Sequence, residues 1–135
     1  LVSGEWIGRN GLQIYPETEL AANDIFRRLP ARLRRNSYTD CIDEKLPNID
    51  HSINCFEAVR SEDILPMLLA TFRAEEYVAY DAMMSLLFDF RYGSNYNLEI
   101  DEDRQVIETT IAKDIEFLDK KVLRPTALFG IFGRK

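Results

Sequence analysis

His51 and Cys55 stand four residues apart, so on a helix they would share one face, with an imidazole in reach of a thiol. His51 is the single histidine, and this is the one pairing that could build a nucleophilic site. Nothing around it offers an oxyanion hole, so the expected reading is an idle thiol beside a surface or capping histidine. A second constellation is the stretch Asn97–Asp103, NLEIDED, where oxygen-bearing side chains alternate at 97, 99, 101 and 103. Glu99, Asp101 and Asp103 would be the cation ligands, yet the glycine at position six and the glutamate at position twelve of an EF-hand are missing. The plainer reading is a solvated loop with acids at a helix start. Carboxylate-bridged metal pairs in helical bundles need Glu-x-x-His on two helices, which one histidine cannot supply. No glycine-rich phosphate loop occurs, and the grouping of Phe72, Tyr77, Tyr80, Met83 and Met84 reads as core rather than as a haem box. No catalytic residue, bound metal or cofactor is expected, and the chain reads as non-enzymatic.

The remaining candidate is a charge cluster. Residues 27–35, RRLPARLRR, hold Arg27, Arg28, Arg32, Arg34 and Arg35 in a chain of net charge −6. Without them the other 12 basic and 23 acidic residues would leave −11. On a helix these five cannot share one face, and an exposed ion pair is worth only about 0–1 kcal/mol, so self-neutralisation is a weak reason to gather them. Guanidinium forks grip carboxylates bidentately, so the cluster reads as a docking site for an acidic protein surface or anionic head groups. The competing reading is a solvated face with salt bridges to Glu17, Glu19, Asp40 and Asp43. The acidic balance elsewhere opposes generic nucleic-acid binding.

These residues must be positioned by elements. At 135 residues, 46 % of them hydrophobic, the chain is expected to form one domain spanning 1–135. Its longest apolar run, near Met83–Phe88, is too short to span a bilayer, which implies a soluble or peripheral protein. It begins at Leu1 with no methionine or leader, consistent with a processed form or a fragment. Residues 1–15 read as an extended arm in which Asn10-Gly11 signals a hairpin. Four amphipathic helices follow in this reading. The first spans about 17–35, kinked at Pro30, after Pro16 and its following acids. The second starts at Ser37 and carries Ile42, Leu46, Ile49, Ile53 and Phe56 through Pro47, or divides there into two. The third runs from Ser61 with Ile64, Leu68, Phe72, Ala79, Met83, Leu86 and Phe90 on one face. The fourth runs from about Asp101 to Arg124 with Ile107, Ile111, Ile115, Leu118 and Val122. The predicted fold class is therefore all-α, an antiparallel up-down four-helix bundle with an N-terminal arm and an apolar tail over 126–135. On one helix Cys41 and Cys55 would lie roughly 21 Å apart and stay free; a hairpin at Pro47 would allow a bridge. The tail offers a second docking hypothesis, a helical adaptor that takes a partner through an apolar surface with Phe129, Ile131 and Phe132 as anchors.

The stretches EYVAYDAMMSLL (Glu76–Leu87) and DEDRQVIETTIAKDIEFLDKKV (Asp101–Val122) resemble the last two helices of PsbQ-type extrinsic subunits of photosystem II. Tyr80-Asp81 stands where that family has a tyrosine–aspartate pair, and Ile115–Asp119 where it has an apolar-acid-x-leucine-aspartate run. The likeness covers about a third of the chain. The N-terminal half departs from the plant pattern: it has no long proline-rich arm, and it adds two cysteines and the arginine cluster. The resemblance implies a divergent algal or diatom relative, a non-catalytic protein of the thylakoid lumen, peripheral to the membrane. It would bind no metal itself, dock on the photosystem II core and support oxygen evolution. The arginines would then meet carboxylates of the larger complex.

Overall fold

The computed structural model describes residues 1–135 and corrects the expected fold class. The chain is mixed α/β, with helices packed beside a three-stranded antiparallel sheet, rather than an all-α four-helix bundle. In chain order the elements are β1 (Val2–Trp6), α1 (Pro16–Phe26), the single turn α2 (His51–Asn54), α3 (Ser61–Thr71), β2 (Phe72–Tyr80), the single turn α4 (Met84–Leu87), α5 (Asp101–Asp119) and β3 (Ala127–Arg134). Short 3₁₀ turns lie at 10–12, 31–34 and 93–95. No helix is long and apolar enough to cross a membrane.

Each departure has a local cause. The first helix starts at Pro16 but ends at Phe26, because Pro30 has no amide to continue the ladder and the arginine stretch winds into a 3₁₀ turn. The second helix is reduced to one turn after Pro47, and of its apolar stripe only Leu46 is buried while Ile42, Ile49, Ile53 and Phe56 face outward. The long third helix breaks at Thr71. Beyond it FRAEEYVAY is extended, since Phe, Tyr and Val fit a pleated surface and a partner strand exists to pair with them. That partner is the C-terminal segment, which is no free tail: β3 is the central strand in the order β1-β3-β2. The N-terminal arm pairs with β3 instead of folding on itself. Asn10-Gly11 forms a 3₁₀ turn, with Gly11 at φ 70°, closed by an isolated bridge between Arg9 and Gln13. The fourth helix agrees closely with α5, whose first turn holds Asp101, Glu102 and Asp103 at the positive end of the helix dipole.

Two apolar clusters hold these pieces together. The larger gathers Ala22, Phe26, Leu33, Leu46, Met83, Leu87 and Tyr92, with the Phe26 and Tyr92 rings edge to face at 5.0 Å. The Tyr92 hydroxyl donates to Asp43 Oδ2 at 2.6 Å, and burial pushes its pKa well above the ordinary phenol value. The smaller cluster lies under the sheet, where Leu128 and Phe132 of β3 meet Ile64, Leu65 and Leu68 of α3. Gly130 sits between those two β3 residues because a Cβ there would come within 2.8 Å of Tyr77 Cβ and 2.7 Å of the Phe132 ring.

Two buried carboxylates of α5 tie the layers to one another. Asp103, fully buried, accepts both guanidinium nitrogens of Arg32 (Nη1 to Oδ2, 3.0 Å) and the Asn97 amide at 2.9 Å. Hydrogen bonds from Arg32 hold its pKa below the usual carboxylate range. Asp114 has no cation. It accepts the backbone N–H groups of Ala82 (3.2 Å) and Met83 (2.7 Å), where the chain leaves β2 for α4. Burial raises its pKa, the two amides pull it back and the nearby Asp81 adds to the rise. The same corner is held from β3, because Thr126 donates its amide and its hydroxyl to the Asp81 carbonyl at 2.7 and 2.9 Å.

Candidate interaction surface

The five arginines do not form one free cationic surface. Arg28 pairs with Asp24 at 2.7 Å, one turn back along α1. Arg32 grips the buried Asp103, 71 residues further along the chain. Arg34 is largely enclosed; its Nε donates to the Leu29 carbonyl at 3.2 Å and its Nη1 to the Asp43 carbonyl at 2.7 Å, with Glu44 at 3.4 Å. Arg35 pairs with Asp40 at 2.7 Å. Arg27 is exposed and makes no ion pair within the chain. The cluster thus works first as internal bracing. Arg32 and Arg34 staple the 3₁₀ turn to α5 and to the 43–44 loop, while Arg28 and Arg35 make the surface pairs of small worth that the sequence allows.

The other constellations separate as well. His51 and Cys55 are linked only through the backbone, the Cys55 amide donating to the His51 carbonyl at 3.1 Å. Cys41 and Cys55 are both exposed free thiols. In the 97–103 loop three of the four alternating side chains are already engaged: Asn97 Oδ1 accepts the Glu99 amide, Asp101 pairs with Arg104, and Asp103 with Arg32. No three His, Cys, Asp or Glu side chains converge in a geometry that could hold a metal ion.

The three tail residues divide by strand alternation. Leu128, Gly130 and Phe132 point into the sheet's packed side, so Phe132, 2 % exposed, is a core residue and no surface anchor. Phe129 and Ile131 point the other way, 51 % and 41 % exposed. Register extends their face across the sheet. Ile131 is opposite Val2 and Glu76, Phe129 is opposite Gly4 and Val78, and Ala127 is opposite Tyr80. Val2, Val78 and Tyr80 are all about half exposed or more. A two-layer antiparallel sheet normally shows polar residues on its solvent side. Here that side carries an aliphatic and aromatic strip, bordered by Glu76 and by the Arg73–Glu75 ion pair that lies over Gly133. Tyr80 continues the patch onto α5, because it also lines a shallow groove with Met84, Ile111 and Ile115.

Sequence reasoning reached Phe129 and Ile131 but not their neighbours. The sequence places Val78 and Tyr80 on a helix and Val2 on a separate arm. The alternation of Leu128, Gly130 and Phe132 against Phe129 and Ile131 is a period-two signal that would have found the strand and its outward face. No protein-family profile matches the sequence, and no curated protein and no solved structure is significantly similar to it.

Proposed function

We propose that this chain is a non-catalytic docking module that receives an amphipathic helix of a partner protein on the outer face of its sheet. One observation underlies the reading: the solvent side of a two-layer sheet presents Val2, Val78, Tyr80, Phe129 and Ile131, where polar residues are the rule. The partner's chemistry follows from charge. Glu76 stands exposed on the same face with no cation of this chain against it, and the chain's net charge is −6 with most of the arginine cluster internally paired. A helix with apolar residues at i, i+3, i+4 and i+7 and lysines or arginines flanking them would fill the patch and neutralise its rim.

The test is fluorescence anisotropy with a labelled synthetic helix of leucine and lysine in that pattern, and a leucine–glutamate counterpart. The basic peptide is expected to bind saturably and the acidic one at least tenfold more weakly. Replacing Phe129 and Ile131 together by glutamate should abolish binding while the far-ultraviolet circular dichroism stays unchanged. Equal binding of the variant and the parent would overturn the proposal.

A second reading keeps the arginines as the contact, docking the chain on an acidic face such as the lumenal side of photosystem II. Its support is the free Arg27 together with the exposed heads of Arg28 and Arg35. Reversal of those three to glutamate distinguishes the readings: it would end salt-sensitive attachment to photosynthetic membranes but leave the basic peptide bound.

A further inference from the structure

β3 follows every other element in chain order, yet it lies in the middle of the sheet. It pairs with β1 on one side and with β2 on the other, and those two do not pair with each other, so without residues 127–134 there is no sheet. Its inward side chains Leu128 and Phe132 also fill the smaller apolar cluster. A strand on which so much depends, joined to the body through the few residues after α5, is a detachable unit if those residues can act as a hinge.

The hinge is Lys120–Val122, three exposed residues between α5 and the buried Leu123. α5 stops there in a Schellman turn, where the Lys121 amide donates to the Leu118 carbonyl at 3.0 Å and the Val122 amide to the Phe117 carbonyl at 2.8 Å. Such a turn puts one left-handed residue just past the helix, a place that glycine usually takes, and here it is Lys121 at φ 54°. The sequence favours a longer helix, since the apolar period of α5 runs on through Val122 and lysine is a good helix former. Straightening Lys120–Val122 into α5 removes the left-handed strain and adds about 4.5 Å of helix, which carries the strand away from its own body.

The strand's attachments all lie beyond this hinge. Leu123 is buried in the larger cluster, and Arg124 pairs with Glu17 at 2.7 Å and stacks on the Tyr15 ring at 3.6 Å. Thr126 donates to the Asp81 carbonyl and accepts the Ile7 amide at 2.8 Å. A second copy offers the identical partners, so reciprocal exchange rebuilds each of these contacts with the hinge relaxed and requires no new interface.

We infer that the segment Leu123–Lys135 is an exchangeable arm through which two copies of this chain form a closed, reciprocally swapped dimer. The arm of the same chain competes as an intramolecular ligand, with an effective concentration in the millimolar range for a short tether, so exchange takes place when copies refold together at a comparable concentration. The outer face of the sheet is rebuilt unchanged in the dimer, and the inference stands if the docking reading falls.

A cross-strand disulfide reports the exchange. Leu1 and Phe132 exchange two hydrogen bonds of 2.9 Å, so the next pair, Val2 and Ile131, is of the non-hydrogen-bonded kind, whose Cα atoms stand about 4.5 Å apart, within disulfide range. Chains carrying Val2→Cys and Ile131→Cys, with Cys41→Ser and Cys55→Ser, are refolded from urea under reducing conditions at about 1 mM and about 1 µM, above and below what the tether supplies, then separated by size exclusion and oxidised. The concentrated sample should contain a dimer that runs at twice the chain mass on a non-reducing gel. The dilute sample should be monomer, with the link inside one chain. Lys121→Gly, which removes the hinge strain, should lower the dimerisation constant by about fivefold per hinge, and Lys121→Val should raise it. Monomer alone at both concentrations would overturn the inference. So would a dimer that falls to single chains on that gel, or equal dimerisation of the two Lys121 variants.

Discussion

Removing the Asp103 carboxylate tests whether the arginine cluster braces the fold. In Asp103→Ala, Arg32 loses both of its carboxylate bonds and the Asn97 amide loses its acceptor. Breaking a fully buried pair costs about 3–5 kcal/mol. Here the Arg32 side chain is 45 % exposed and can rehydrate, which lowers the expectation to about 2–3 kcal/mol. For a domain of this size each kcal/mol moves the melting temperature by roughly 3–5 °C, so the variant should melt about 6–15 °C below the parent in a circular-dichroism scan. Asp103→Asn retains one acceptor and should fall between them. The pH dependence has a definite sign. The folded-state pKa of Asp103 lies below its unfolded value, so its contribution is present above about pH 4 and fades as pH falls through the lower folded value. The gap between parent and Asp103→Ala should therefore narrow in acid. A variant that melts within about 2 °C of the parent at pH 7, or a gap that widens in acid, would refute the bracing argument.

Asp114 should behave oppositely. Its folded-state pKa is raised by burial, so relative to Asp114→Asn the parent loses stability as pH rises from about 4 through the raised value; melting curves of the two from pH 4 to 8 check this, and a flat or growing advantage for the parent would contradict it. Gly130→Ala should destabilise by about 1–3 kcal/mol, because the new methyl meets Tyr77 Cβ and the Phe132 ring in the packed layer; urea unfolding measures it, and a neutral result would mean the layer yields easily. Both cysteines should react rapidly with a thiol reagent in native buffer, giving two equivalents per chain without denaturant; one equivalent or none would contradict their exposure.

What the sequence revealed depended on how local the determining interactions are. α5 was legible because its acids, its apolar period and the proline after it lie within 25 residues. The start of α1 was legible from Pro16 for the same reason. The sheet was not, because RAEE inside residues 72–80 reads as helix and the strand that overrides it lies some fifty positions away at 127–134. The apolar period through Ile42, Ile49, Ile53 and Phe56 was real as a pattern but had no surface to pack on. The arginines misled in the same way. Their internal acceptors, Asp103 above all, are distant in sequence, so a braced turn looked like an unsatisfied patch. Phe129 and Ile131 were identifiable as surface candidates by composition alone, while their separation from Phe132 required the strand's alternation.

The strand order has a bearing on how the molecule is made. Because β3 is the middle strand and is translated after β1 and β2, each of the flanking strands emerges from the ribosome with both edges bare, and neither can close a ladder until residues 127–134 have followed. The helical layer can collapse early, whereas the platform that bears Phe129 and Ile131 comes into being only once residues 127–134 have been made. Until then β1 and β2 keep open edges, the kind of template on which chains pair wrongly.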